Sequence, residues 1–319
     1  MIGTVDRDSA AGPASLVDEL PGPEFAPFQD EPPQMRSGVV GKRGLLRLGF
    51  ERRGSRTILA DLERRTPCLV SRALHCDAAM ADMPWVFMIT STGCVLQGDR
   101  LHTDIVLKAG ARAHVTTQSA TKVHAMDANF GLVTQTFALE DGAYLEFLPD
   151  PLILHRGARF SSRSHITIAP TATLVYSEIA QPGRKHHHAD ERLAVTLMAL
   201  ELEARRPDRT LLMSERLVLD PAESEPRRTG IMESFDVFAN VLLLTPKAGA
   251  ARVAARLEAG VDLGRGLAHG ACSLPSDAGL IYKVLGRETA PVKEAVRAFW
   301  AVVREEIVGA SIPPPFLWR

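Results

Sequence analysis

Three stretches of this chain follow one plan, and that plan constrains the fold more than any other feature. Residues 104–118 (DIVLKAGARAHVTTQ), 134–149 (TQTFALEDGAYLEFLP) and 164–178 (SHITIAPTATLVYSE) each read as a strand, a short turn and a second strand, with Ala111, Ala143 and Ala172 at matching places. A unit this small cannot bury its own apolar face, so repetition predicts stacked β-units that share a continuous core. A meander of hairpins that look alike because turn chemistry is limited is the rival arrangement. Either way the fold class is mainly β and layered. From Leu45 onward, short β-branched and aromatic runs alternate with Gly, Pro, Asp and Ser, as a β-rich chain requires.

Helices are predicted in two places. Between Pro291 and Gly309, Val292, Val296, Phe299, Val303 and Ile307 recur at helical spacing, with Pro at the start and Gly at the end. Residues 247–259, closing at Gly260, form a shorter candidate. Residues 1–35 hold six prolines and seven acidic side chains against the single Arg7, too polar a mixture to offset the entropy of ordering, which predicts a disordered leader. Residues 36–319 are then expected to form one domain. Met80, Met83, Trp85, Phe87 and Met88 make an apolar run that fits a buried strand better than a docking face.

Charge and cysteine usage exclude several classes. With 37 basic and 38 acidic side chains the formal net charge is −1, so no overall field draws the chain to nucleic acid or an anionic membrane. Cys68, Cys76, Cys94 and Cys272 show neither zinc-type spacing nor a disulfide framework. With neither a signal-peptide pattern nor a membrane-length apolar run, the expected location is the cytoplasm.

Catalytic motifs are equally scarce. Gly93 and Gly98 stand at P-loop spacing, but Asp99 follows where a P-loop has lysine, placing a carboxylate against any phosphate. No nucleophile elbow, H-E-x-x-H or dinucleotide fingerprint occurs. His186, His187 and His188 are ligand types that suit nickel, copper or zinc, yet adjacent side chains of an extended segment diverge, so they rank as secondary metal candidates. In Thr116–Lys122 (TTQSATK) neither face is apolar, which suits the lining of a wet interior.

The ordered motifs resemble the urease accessory proteins of the D/H type (UreD, also called UreH). They are Gly98-Asp99-Arg100-Leu101, Thr116-Thr117-Gln118-Ser119-Ala120-Thr121-Lys122, Leu145-Glu146-Phe147-Leu148-Pro149-Asp150, Ser177-Glu178 with Gly183-Arg184, and Glu215-Arg216-Leu217. Trp300, Arg304 and Trp318-Arg319 complete a resemblance running from about Gly44 to the C-terminus. The chain departs from the pattern at Cys94, Gln97, His124, the Asp190-Glu191 pair and Pro315-Phe-Leu-Trp.

The resemblance implies a layered β-helicoid with about two helices and a role as scaffold and conduit rather than catalyst. It implies docking on apo-urease, binding of an F-type accessory protein, and receipt of nickel through that protein from a G-type GTPase. No tightly bound cofactor is implied, only transient nickel. Asp99, Thr121, Glu178 and Glu215 match polar interior positions associated with a nickel tunnel. Two other readings stay open from the residues themselves. One is a metal-dependent β-fold hydrolase using the histidine run with Glu178 or Glu191. The other is a protein adaptor with no metal path.

Overall fold

The computed structural model describes residues 20–30 and 41–315. Two large sheets face one another. The first has seven strands, ordered Leu211–Leu219, Leu197–Arg205, Arg159–Ile168, Gly131–Leu139, Arg100–Leu107, Arg43–Arg53 and Arg56–Arg65. The second is larger and centres on Val237–Leu244, Thr173–Pro182, Tyr144–Phe147, Arg112–Thr117 and Trp85–Thr90. Short strands Cys94–Val95, Thr121–Val123 and Leu152–Leu154 pair in parallel as a third face, a branch of the second sheet joined to it where Leu152–Leu154 pairs with Thr173–Pro182.

The repeated segments are not hairpins. In each, the strand before the turn lies in the first sheet and the strand after it in the second, so the turn is an arch between layers. Successive arches stack in parallel, with Ala113, Leu145 and Leu174 in register on one sheet and Ile105, Phe137 and Ile166 on the other. This decides for stacked units over the meander. The arches share a turn: the N–H groups of Ala111, Ala143 and Ala172 donate to the carbonyls of Lys108, Glu140 and Ala169 at 2.9, 3.1 and 3.1 Å. Gly110 and Gly142 take the left-handed conformation these turns demand, at φ +66° and +65°, while the third turn uses Pro170-Thr171 instead.

Strand parity builds the core. Ile105, Phe137 and Ile166 face Val115, Phe147 and Tyr176 across the gap between sheets, and all six are buried. The Phe147 and Tyr176 rings stack at 5.5 Å, and Phe137 meets Phe147 edge-on at 4.9 Å. On the outer side of the second sheet lie helices α1 (Lys247–Ala254) and α2 (Thr289–Val308). The α2 stripe of Val292, Val296, Phe299 and Val303 packs on Val175, Ile179, Val241 and Leu243, and Gly309 caps the helix at φ +66°. The run around Trp85 is indeed interior: Met80, Met83, Trp85, Tyr144 and Trp300 form one buried cluster.

Part of the acidic leader differs from its expectation. Residues 20–30 carry a 3-10 turn whose Phe25 is fully buried against Phe130, Leu132, Leu197 and Ala199 on the first sheet. Arg159 sits over the Phe28 ring at 4.3 Å, and Arg216 pairs with Glu24. Two aromatic residues suffice to anchor a segment whose average composition is polar. The rest of that leader, and Phe316 to Arg319 at the other end, lie outside the described residues.

Candidate functional site

Above the Phe147–Tyr176 stack, inward-facing positions change from apolar to polar on both sheets. Thr117 and Glu178 follow Val115 and Tyr176, while Gln135 and Ser162 precede Phe137 and Ile166 on the opposite wall. The result is a cavity of about 180 Å³ lined by these side chains with Thr103, Gln118, Thr121, Ser177 and the thiols of Cys68 and Cys94. Its size and polarity suit several waters.

Glu178 is the acidic centre of this space. Enclosed by protein but open to the cavity, its carboxyl is raised to about 7, by burial above all, with the Ser162 hydroxyl hydrogen bond opposing and the Glu215 charge adding to the rise. Its cross-strand neighbour is Asn240, whose own neighbour is Lys283. Asn240 donates to Glu215 Oε1 at 3.3 Å, and Lys283 pairs with the same carboxylate. A polar seam thus leads from the cavity through Glu178, Asn240 and Glu215 to the half-exposed ammonium of Lys283. At the other end Asp150 lines this cavity and two neighbouring ones of about 220 and 310 Å³, and Lys293 of α2 binds its Oδ1 at 2.9 Å. Pro313 to Pro315 fold back along α2 to wall one of these neighbours.

The structure therefore brings Thr121, Glu178 and Glu215 into one polar system, whereas Asp99 stands apart from the cavity wall. Asp99 is fully buried and accepts from the backbone N–H groups of Lys42 and Leu96, both at 2.9 Å, fixing the turn that follows Gly93. Burial nonetheless raises its carboxyl, and its charge reaches the cavity thiol Cys68, whose pKa burial pushes to about 11. Gly98 holds φ +75°, and Arg100 donates to the carbonyls of Asp99 and Phe130 while lying 4.0 Å over the Phe130 ring.

The polar stretch is not one strand. Thr116 and Thr117 end one strand, Gln118 to Ala120 bend, and Thr121–Val123 begins the third face. The Thr116 hydroxyl donates to the Leu148 carbonyl at 2.7 Å, and Thr117 accepts from the Asp150 N–H at 2.9 Å. Pro149 lines the cavity beside them, as does Lys122.

Glu146 belongs to a different constellation. It is fully buried beneath α2, where it accepts from Tyr144 (2.7 Å), the His114 ring (2.7 Å) and Arg304 Nε and Nη2 (2.6 and 2.9 Å). Arg304 also binds Asp77 at 2.5 Å, and Trp85 stacks on His114 at 3.6 Å. These partners hold the Glu146 carboxyl down at about 2 against the opposing effect of burial. The network clamps α2 to the sheet.

Gly183-Arg184 is likewise a loop-forming device. At φ +109° Gly183 leaves no space for a side chain, since a Cβ there would stand 1.8 Å from the Glu191 carbonyl oxygen. Arg184 grips Glu191 through two bonds of 2.8 and 2.5 Å, holding that carboxyl below the usual range. Of the histidine run, His186 meets Glu288 at 2.9 Å, beside the buried Lys185 that pairs with Glu288 and Asp236. His187 and His188 are exposed. Among the described residues no three His, Cys, Asp or Glu side chains converge as a metal cage, and no helix is long and apolar enough to cross a membrane.

Ser162, Asn240, Lys283 and Lys293 escaped the sequence reading. Strand parity alone would have turned Ser162 toward the same gap as Ile166, but only the pairing of distant strands places Asn240 beside Glu178.

Comparison with known proteins agrees with these motifs. The model of the UreD urease accessory protein family matches residues 42–319. The Urease accessory protein UreD of Photorhabdus laumondii is 52% identical over 297 residues, covering 93% of this chain and 92% of that protein. The Yersinia enterocolitica serotype O:8 protein of the same name is 50% identical over 303 residues, covering 93% of both chains. Urease accessory protein UreD 2 of Brucella suis is 46% identical over 295 residues, covering 92% of this chain and 98% of its own length. With the motif order, the two-layered β architecture and this extent of identity in agreement, the chain belongs to the UreD family of urease accessory proteins.

Proposed function

We propose that this chain is a cytoplasmic, non-catalytic scaffold that docks on apo-urease with F-type and G-type accessory proteins and conducts nickel to the urease active site. The observation that carries the conduit reading is the cavity between the sheets, continued by the seam through Glu178, Asn240 and Glu215. A cation in transit needs several weak oxygen contacts, because a closed cage would trap it. Spaced hydroxyls, amides and single carboxylates supply such contacts. Glu178 adds a weak site in particular, since a carboxyl of pKa about 7 is shared between proton and metal near neutrality. Asp99 acts on the path indirectly, by holding the Gln97-Gly98 turn that follows the Cys94–Val95 strand.

Co-expression of this chain with F-type and G-type proteins and the urease subunits tests the proposal. The wild-type chain should co-purify with its partners and be required for nickel loading of urease. Glu178→Ala should assemble equally well and deliver less nickel. Normal delivery by that variant at limiting nickel would favour the adaptor without a metal path. Stable stoichiometric metal with turnover of a small substrate by the lone chain would favour the hydrolase.

A further inference from the structure

We infer that His124 and His155 together form a two-imidazole capture site for a divalent transition-metal ion on the outer surface, separate from the cavity. The repeat places them. Val95, Val123 and Leu154 are in register on the third face, so His124 and His155 occupy the same next position in successive coils. Each leaves the face through an equivalent backbone bond, His124 N–H to the Val95 carbonyl at 3.0 Å and His155 N–H to the Val123 carbonyl at 2.9 Å.

Adjacent strands lie about 4.8 Å apart, so side chains at one position of successive coils stand side by side. Here the ring centroids are 5.3 Å apart with planes inclined at 53°. Two ring nitrogens need approach one ion to about 2.0–2.1 Å each, a convergence that small side-chain rotations provide from this separation. The tautomer suits ligation as well: His124 Nδ1–H donates to the Ala125 carbonyl at 3.1 Å, which leaves the lone pair of the neutral ring on Nε2. His124 is exposed and His155 half-buried, so one ligand is anchored and the other accessible.

The surroundings permit a cation. Two cations act on His155, Arg184 and Lys122; the charge of Arg184 is matched by Glu191 through the two-bonded pair described above, and Lys122 is exposed to solvent. Because Glu191 is so held, it is not a ligand, and water completes the coordination. Imidazole pairs of this kind favour Cu²⁺, Ni²⁺ and Zn²⁺ over Mg²⁺ or Ca²⁺. The inference concerns binding of a free ion to the chain itself and does not depend on the conduit reading.

Isothermal titration of the full chain with Ni²⁺ at pH 7.5, with Cu²⁺ electron paramagnetic resonance to count nitrogen ligands, tests it. The wild type should bind Ni²⁺ at this site and show Cu²⁺ ligated by two imidazole nitrogens. His124→Ala or His155→Ala should each weaken binding about tenfold or more, as removal of even an outer partner commonly does. The triple variant His186→Ala, His187→Ala, His188→Ala should retain wild-type affinity. Thermal melting of every variant, and the milder His155→Gln, separate ligand loss from misfolding. Wild-type affinity in both single variants, or loss confined to the triple variant, would overturn the assignment.

Discussion

Replacing Arg304 by alanine should release the clamp between α2 and the sheet and destabilise the chain by roughly 3–5 kcal/mol, the usual cost of leaving a buried charge without its partner. The structure supports the magnitude by a second route. Arg304 and Glu146 are fully buried, and the Glu146 carboxyl falls from an ordinary 4.5 to about 2 in the fold. A drop of that size is equivalent to about 3 kcal/mol of preferential stabilisation of the carboxylate. Because the folded value is depressed, this stabilisation is fully present above pH 4.5 and is lost as pH falls through about 2. Equilibrium urea unfolding at pH 7, read by the fluorescence of Trp85 and Trp300, measures the loss directly. Arg304→Met with Glu146→Leu should recover only part of the stability lost in Arg304→Ala, since the apolar pair removes the uncompensated carboxylate while Asp77, Tyr144 and His114 each lose a hydrogen bond. A loss below about 1 kcal/mol for Arg304→Ala would refute the reasoning, because that is the range of exposed ion pairs.

Three further outcomes are expected. Glu178→Gln should flatten the pH dependence of stability: the wild-type carboxyl, raised to about 7, favours the fold fully below pH 4.5, progressively less above it, and not at all once pH passes 7. Paired urea titrations at pH 4.5 and 8 check this, with the variant gaining on the wild type at the higher pH. Gly183→Ala should cost at least about 2 kcal/mol, since φ +109° and the Glu191 carbonyl both oppose a side chain; thermal melting measures it. Phe25→Ala should cost about 3 kcal/mol and expose residues 20–30 to limited proteolysis, whereas unchanged protection would mean that the aromatic anchor does not hold this segment.

Local pattern carried much of the fold into view. The spacing of Ala111, Ala143 and Ala172 reflects real stacking, and the α2 stripe needed only helical periodicity and its terminal glycine. What local pattern does not encode is which sheet each strand joins. The arches were therefore indistinguishable from hairpins. For the same reason the place of Glu146 is not legible locally: it alternates with Leu145 and Phe147 and so faces away from them, but only α2, which supplies Arg304 from 158 residues further on, shows that this face is covered. Glu178 shows the converse, because it shares an inward face with Leu174 and Tyr176 and only the polar wall opposite keeps it from a dry core. Asp99 was visible as a motif residue, while its task of holding the backbone of Lys42 and Leu96 depends on a contact 57 residues away.

In the proposed conduit a cation passes Glu178 on its way through this protein. The most direct test is the nickel content of urease matured at limiting nickel with wild-type or Glu178→Gln chain in an otherwise complete accessory complex. The Glu178→Gln complex should keep its composition while its urease holds severalfold less nickel, with the deficit narrowing as nickel is raised. Equal nickel content at every concentration, from equally assembled complexes, would contradict the conduit.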